Sequence, residues 1–394
     1  MMGTTHTILY INPNNSLYGS DVSLLAIIRS LDQRIYRPIV VLPCDLPYPG
    51  ILEAQLDSLG VKTYHIRMGV LRGRYLNPIG LLRTFFDLIS ALFTLAHIIR
   101  SESVDVVHSN TLSVLCGAIA CAFCRKKHIW QVQEFIVRPK VLYHFMSWFV
   151  PRISARVVTI SHSLMDHLKP EPQYLRKYSV IYNGIDVALF STNPEPGIPV
   201  RQAWGVRGDQ VLIGMLGRVS ANKGQRLFID VAARIAKMYP QARFAIVGDV
   251  FPGFESILVD LKERCTQYGL DQVVTWSPFR TDAYAVMQAL DIYIMPSAIP
   301  EGLGLVVLEA MASGKPVVGN ARGGYTEAIE QGRSGILVEP DNPEKMATAI
   351  GQLIDSPEER TRIGKHARER VMSAFNLTTM VSAWLEIYTS LLAS

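Results

Sequence analysis

Residues 291–319 read DIYIMPSAIPEGLGLVVLEAMASGKPVVG. An apolar, β-rich run (DIYIMP) gives way to a loop holding Pro300, Gly302 and Gly304. LVVLEAMASG then has helical character and closes on Gly314, and PVVG opens a further apolar run. Strand, loop, helix and strand in this order form a βαβ unit, which joins parallel strands. Two acids, Glu301 and Glu309, bracket the otherwise apolar segment. Glu301 falls in the loop at the carboxyl edge of a strand. Glu309 lies about two turns further on if the helix begins near Gly304. Ligands of open parallel sheets bind outside the carboxyl ends of the strands. Both carboxylates are therefore placed to meet ligand hydroxyls, and Gly302 and Gly304 free amides near the helix start for an anion. A favourable charge near a helix N-terminus plus a surface glutamate fits the same letters.

The same alternation runs along the chain. In the first half, β-rich runs fall at 6–11, 38–42, 61–66, 104–108, 128–133, 156–160 and 179–182, with amphipathic stretches between most of them. NGIDVALFSTNPEPGIP (183–199) is rich in Pro, Asn and Gly and reads as a linker. Runs at 211–216, 242–247, 273–277, 291–296, 316–319 and 335–338 follow, and 343–392 is helical. A chain of 394 residues exceeds one ordinary core. The pattern predicts two α/β domains with parallel sheets, residues 1–190 and 191–375, and a default ligand site in the cleft between them.

Composition sets the class. Hydrophobic residues are 49% and charged residues 19% of the chain, a globular balance. The five cysteines form no paired framework, and the CxxC of Cys121 and Cys124 lies in an apolar stretch, which predicts buried helix thiols in a reducing, cytosolic setting. The N-terminus runs straight into a strand with no secretory pattern. IGLLRTFFDLISALFTLAHII (79–99) has spanning length, but Arg83, Asp87 and His97, with Ser90 and Thr94, make a narrow polar stripe at helical spacing. The reading is a helix packed on a sheet, with shallow bilayer contact as the lesser alternative. Residues 1–195 hold 19 Lys and Arg against 13 Asp and Glu, including Arg72-Gly-Arg74, Arg125-Lys-Lys127 and Arg138-Pro-Lys140. Such clusters suit an anionic membrane surface or a phosphorylated acceptor, and ordinary solubility equally well. No nucleic-acid module is present.

Two further loops are candidates. GRVSANKGQ (217–225) joins a strand to a helix and puts Arg218 and Lys223 at the ligand edge, where two cations beside a helix N-terminus suit a diphosphate; a solvated loop is the alternative. NPNNSLYGSDVSLL (12–25) leads to Gly19, Ser20 and Asp21 at a helix start, where Ser20 or Asp21 suits the cap and Gly19 permits close backbone approach. The absence of G-x-G-x-x-G after the first strand argues against a nicotinamide dehydrogenase, and no metal-ligand cluster is visible.

Taken together, YGSDVSLL, VDVVHSN, VVTISHSL, VIYNGID, GRVSANKG, FAIVGD and MPSAIPEGLGLVVLEAMASGKPVVGNARGGYTEAI resemble retaining glycosyltransferases of family 4 (group 1), which have the GT-B fold. The resemblance covers nearly the whole chain, and Glu301-x7-Glu309 matches the family's paired-glutamate motif. It implies two Rossmann-like domains facing a cleft, with a C-terminal helix (376–394) crossing back to the first, acceptor-binding domain. It implies a nucleotide-diphosphate sugar donor (UDP-, GDP- or similar) held mainly by the second domain. Arg218 and Lys223 would bind the diphosphate, Glu301 the sugar hydroxyls and Glu309 the ribose. Amides of Gly302, Leu303, Gly304 and Leu305 would line sugar and phosphate, and Gly19 with Ser20 would approach the diphosphate from the first domain. Glu301, Arg218 and Lys223 are the candidate catalytic residues, and neither a metal nor another cofactor is expected. Two departures stand out. Gly19-Ser20-Asp21 replaces Gly-Gly-x-Glu, and Gln133 of WQVQEF stands where many members carry a His linked to a donor-sugar hydroxyl. Gln133 hydrogen-bonds but cannot titrate. The reaction expected is sugar transfer with retention to a glycan or lipid-linked acceptor, in cell-surface polysaccharide or glycolipid assembly. The location expected is cytoplasmic, with peripheral contact at the inner face of the membrane. A GT-B epimerase or phosphorylase, or a non-catalytic nucleotide-sugar-binding subunit, is the alternative.

Overall fold

The computed structural model describes residues 5–45, 50–70 and 78–393; the basic pair Arg72 and Arg74 lies outside these. Seven strands, β1 (His6–Ile11), β2 (Tyr36–Pro43), β3 (Lys62–Ile66), β4 (Val106–Asn110), β5 (Lys127–Val132), β6 (Arg156–Thr159) and β7 (Tyr178–Val180), form one sheet. Its helices are α1 (Gly19–Arg29), α2 (Ile51–Ser58), α3 (Pro78–Ser101), α4 (Leu115–Phe123), α5 (Lys140–Ile153) and α6 (His162–Leu168). Six strands, β8 (Val211–Leu216), β9 (Ala242–Val247), β10 (Val274–Ser277), β11 (Ile292–Met295), β12 (Val317–Asn320) and β13 (Ile336–Val338), form a second. Its helices are α7 (Gly197–Ala203), α8 (Gln225–Met238), α9 (Glu255–Gln267), α10 (Ala283–Ala289), α11 (Leu305–Ala312), α12 (Tyr325–Ala328), α13 (Pro343–Asp355) and α14 (Pro357–Ala374). The last helix is α15 (Leu377–Ala393).

Each apolar run becomes a strand with ends shifted by no more than two residues. The reason is burial on both faces, which turns parallel strands into near-continuous apolar runs. All six residues of β8, for example, are buried. Both sheets are parallel, in the orders β3-β2-β1-β4-β5-β6-β7 and β10-β9-β8-β11-β12-β13. Strand order reverses between β1 and β4 and between β8 and β11, and these reversals open the crevices in which such sheets take ligands.

In the first unit, α3 and α4 pack Ala91, Leu95, Ile98, Cys116 and Ala120 onto Leu9, Ile11, Ile39 and Val41. Phe149 of α5 meets Trp130 edge-on at 6.1 Å. Trp130 is in register with Ser109, and Ser109 with Ile11, so α5 shares that sheet face. Helix α15 covers the opposite face. Tyr10 donates its hydroxyl to Tyr388 at 3.1 Å, and Tyr388 lies 2.8 Å from His108 Nδ1. His108 Nε2 faces the Gln131 side-chain oxygen at 3.1 Å, and Trp384 stacks on the imidazole at 4.7 Å. Burial pushes His108 down to about 3, so the ring is neutral.

In the second unit, Phe228, Ile229, Val231 and Ile235 of α8 pack with Ile213, Met215, Phe244 and Ile246, joined by Met346, Ile350 and Leu353 of α13. The helical tail breaks at Ser356, whose hydroxyl accepts from the Glu359 amide at 3.2 Å ahead of Pro357.

The compact units are residues 1–183 with 378–394, and 184–377. Residues 184–190 therefore go with the second unit rather than the first. The Ile185 amide donates to Phe375 O at 3.0 Å, Leu377 donates back to Ile185 O at 3.0 Å, and Arg368 reaches Phe190 O at 2.7 Å. Composition marks this stretch as irregular but cannot show which backbone it pairs with. Cys116 and Cys121 are buried free thiols, pushed by burial up to about 12.

Candidate active site

Arg218 and Lys223 lie between β8 and α8, and Glu301 lies in the loop after β11, so the two loops flank the strand-order reversal of the second sheet. A single 3-10 turn, Ala221–Lys223, ends on Gly224 at φ +77°. A Cβ on Gly224 would sit 1.9 Å from Pro296 O, so only glycine allows the turn to close against the loop beyond β11. The Ala298 amide donates to Asn222 O at 2.9 Å and ties the loops together. Lys223 Nζ thereby reaches Glu301 Oε2 at 2.7 Å.

Glu301 is held from several sides. Ser297 donates its hydroxyl to Glu301 Oε1 at 2.5 Å, and Asn320 at the end of β12 donates to Ser297 O at 3.0 Å. The Gly324 amide donates to Glu301 O at 2.8 Å. A Cβ on Gly324 would stand 1.7 Å from Gly302 O, so the second backbone presses directly on the Glu301 loop. The buried Tyr325 hydroxyl lies 3.4 Å from Ser297 Oγ.

Helix α11 starts at Leu305 with Gly304 as its N-cap, and Leu303 and Leu305 are buried. Its first amides have no intrahelical acceptor and so suit an anion. Glu309 is half-buried on this helix, and burial pushes its carboxyl up to about 7. Burial above all, and the nearby Glu309 and Glu301 charges after it, push the Tyr293 hydroxyl of β11 well above its usual value. Arg218 lies over the Phe251 ring at 5.1 Å, a cation–π contact that orients the guanidinium. Its carbonyl accepts from Gln225 at 3.0 Å.

Gly19 and Ser20 are in the first unit, at the reversal between β1 and β4. Neither Ser20 nor Asp21 is the N-cap of α1; Tyr18 is. Asp21, fully buried, instead accepts from Asn12 Nδ2 at 2.9 Å, Ser16 Oγ at 2.7 Å and the Tyr18 amide at 3.3 Å. Asn110 Nδ2 donates to Asn12 Oδ1 at 2.7 Å and to Ser20 O at 3.1 Å, fixing the turn. Gln133 donates to Asn110 Oδ1 at 2.5 Å. Its neighbour Glu134 accepts from the Leu112 amide at 2.8 Å, and burial raises its carboxyl to about 7.

Sequence reasoning missed Ser297, Asn320, Gly324 and Tyr325 around Glu301, and Asn12 and Asn110 around Ser20. The pair Gly323-Gly324 and a serine four residues before Glu301 were the available signals. Among the described residues no group of three or more His, Cys, Asp or Glu could hold a metal ion.

Two parallel α/β units with their polar loops at the strand-order reversals define a class by architecture, the two-domain GT-B fold. HepE of Anabaena shares this fold: its structure with UDP-glucose has a TM-score of 0.82 at 24% identity over 98% of this chain and 99% of that one. Its structure with UDP has a TM-score of 0.80 at 25% identity over 98% and 100%. Residues 18–189 match Glycosyltransferase Family 4, and residues 199–370 match Glycosyl transferases group 1. The chain belongs to this group 1/family 4 set of glycosyltransferases. A D-inositol 3-phosphate glycosyltransferase of Corynebacterium urealyticum is 29% identical over 55% of this chain, and the match spans about half, 51%, of that relative's length. The uncharacterized glycosyltransferase MJ1607 of Methanocaldococcus jannaschii is 28% identical over 74% of this chain and 76% of its own.

Proposed function

We propose that this protein moves a sugar, with retention at the anomeric carbon, from a nucleotide-diphosphate donor to an acceptor hydroxyl. The observation that carries the reading is the Lys223–Glu301 contact of 2.7 Å across the β8/β11 reversal. It joins a cation suited to a diphosphate and a carboxylate suited to sugar hydroxyls at the ligand edge of one sheet. Arg218 and Lys223 hold the diphosphate, Glu301 the sugar hydroxyls and Glu309 the ribose, while the first amides of α11 face sugar and phosphate. The bond from the anomeric carbon to the diphosphate oxygen breaks, the bond to the acceptor oxygen forms on the same face, and the acceptor proton passes to the departing diphosphate. The protein positions both substrates and stabilises charge on the leaving group through Arg218 and Lys223, without a metal. That HepE is solved with UDP and UDP-glucose supports a nucleotide-sugar donor. The basic first half supports a glycan or lipid-linked acceptor at the cytoplasmic face of a membrane, in polysaccharide or glycolipid assembly.

A screen of nucleotide sugars by thermal stabilisation identifies the donor. With that donor, Lys223→Ala and Arg218→Ala each lower transfer by about 100-fold or more, with melting temperatures close to wild type. Glu301→Ala loses transfer while nucleotide affinity stays within a few-fold. Normal turnover by Lys223→Ala or Arg218→Ala sinks the diphosphate assignment, and interconversion of donor sugars without transfer points to an epimerase.

A further inference from the structure

The outer face of the α3–α4–α5 layer is apolar where a packed helix is normally polar. The inner row of α3, with Ala91, Leu95 and Ile98, is locked into the core. At 100° per residue, Ile79, Leu82, Phe86, Ile89 and Phe93 form a row about 180° away from it. These residues are exposed, Phe86 by 61% and Phe93 by 73%. The polar stripe of Arg83, Asp87, Ser90, Thr94 and His97 runs beside this row instead of capping it. On α4, Phe123 is 70% exposed with Arg100 of α3 over its ring at 5.7 Å. On α5, Val141, Phe145 and Trp148 are exposed at helical spacing. All three helices lie on one sheet face, so these residues share a single layer.

The charges around this layer have one sign in excess. Residues 78–153 hold eight Lys and Arg against four Asp and Glu. Of the acids, Glu102 is occupied by Arg37 and Lys62, Glu134 is half-buried and accepts from the Leu112 and Gln133 amides, and Asp87 pairs with Arg83. Arg138 and Lys140 are exposed at the start of α5, and Arg100, Arg125 and Lys126 are exposed at the ends of α3 and α4. Cations thus stand at both ends of an apolar band that includes a tryptophan, the pattern of helices lying in a lipid interface. Ile79–Ser101 is also long and apolar enough to cross a membrane. Its inner row is committed to the sheet, which leaves only the outer row for contact with a bilayer.

We propose that this face docks the protein on a bilayer rich in anionic lipid. The apolar row of α3 and the exposed part of α5 follow β3 and β5, so they lie toward the carboxyl edge of the sheet, where Gly19, Ser20 and Gln133 are found. Docking there brings that edge to a membrane-borne acceptor. The inference extends the acceptor reading above, yet vesicle binding is read with neither donor nor acceptor present, so the two fail separately.

The test is flotation of the full chain with vesicles of phosphatidylcholine containing one third phosphatidylglycerol. Expected is binding at least 10-fold stronger than to pure phosphatidylcholine, weakened by 0.5 M salt. The double variant Phe86→Gln/Phe93→Gln should lose at least 10-fold of this binding at an unchanged melting temperature and unchanged donor-nucleotide affinity. Arg125→Gln/Lys126→Gln should lose it on anionic vesicles alone. Equal binding to both vesicle types, or wild-type binding by Phe86→Gln/Phe93→Gln, overturns the proposal. So does an absence of vesicle binding with a dimer that the same variant dissolves, which would assign the face to a second copy of this chain.

Discussion

Glu309, the proposed ribose ligand, is a residue at which a binding role and stability would pull against each other. An unfolded glutamate titrates near 4.3, whereas burial holds the folded Glu309 carboxyl at about 7. The folded state binds this proton more tightly than the unfolded state. Its contribution is therefore favourable at low pH and is lost as pH rises through the window from about 4 to 7. Glu309→Gln removes that loss. It should be more stable than wild type at pH 8 by about 1–3 kcal/mol, with little difference at pH 4, in urea unfolding. The same change should weaken donor-nucleotide binding, the trade expected of a site residue. Glu134 has the same sign in the other unit, so the comparison between wild type and Glu309→Gln is diagnostic and the raw pH curve is not. An unchanged pH dependence in the variant would show that the carboxyl is not held up by its surroundings. The placement of Glu301 and Glu309 beside β11 was legible from spacing alone. That Lys223 partners Glu301 was not, because 78 residues separate them and only the β8/β11 neighbourhood joins them.

The elements that carry the site are held by close backbone approach as well as by side chains. The loop bearing Glu301 rests on Gly324, where a Cβ would sit 1.7 Å from Gly302 O. Gly324→Ala must therefore shift backbone, at a cost of about 1–3 kcal/mol. It should lower donor-nucleotide affinity about 10-fold or more, measured by titration calorimetry, while circular dichroism shows the fold retained. Wild-type affinity in this variant would mean that the loop adapts and that its position is not set there. Strands and helices were legible because parallel strands bury both faces and helices repeat their apolar residues at 3.6. The start of α1 was less so. Local rules favour Ser20 or Asp21 as its cap, but Asn12 and Ser16 donate to the Asp21 carboxylate and hold it inward, and Tyr18 takes the cap position.

For the whole molecule, the chain's last helix is part of its first unit. Trp384 and Tyr388 of α15 close over His108 and Tyr10. Trp384→Ala should destabilise the first unit by about 3–5 kcal/mol. Hydrogen exchange in β1 and β4 should rise while β8 and β11 keep their protection, since units of a chain can open separately. Equal loss of protection in both units would show that they unfold as one.

The order and lengths of the strands, the parallel character of both sheets and the loops that carry Arg218, Lys223, Glu301 and Glu309 follow from patterning within short windows. They depend on local periodicity and on turn chemistry, which a linear sequence records. The partner of Glu301, the cap of α1, the assignment of residues 184–190 and the side of α3 that meets solvent depend on contacts between segments far apart in the chain. The row from Ile79 to Phe93 is apolar on paper in the same way as the buried row on the opposite side of the helix. Only packing against the sheet decides which of the two becomes core and which is left facing outward.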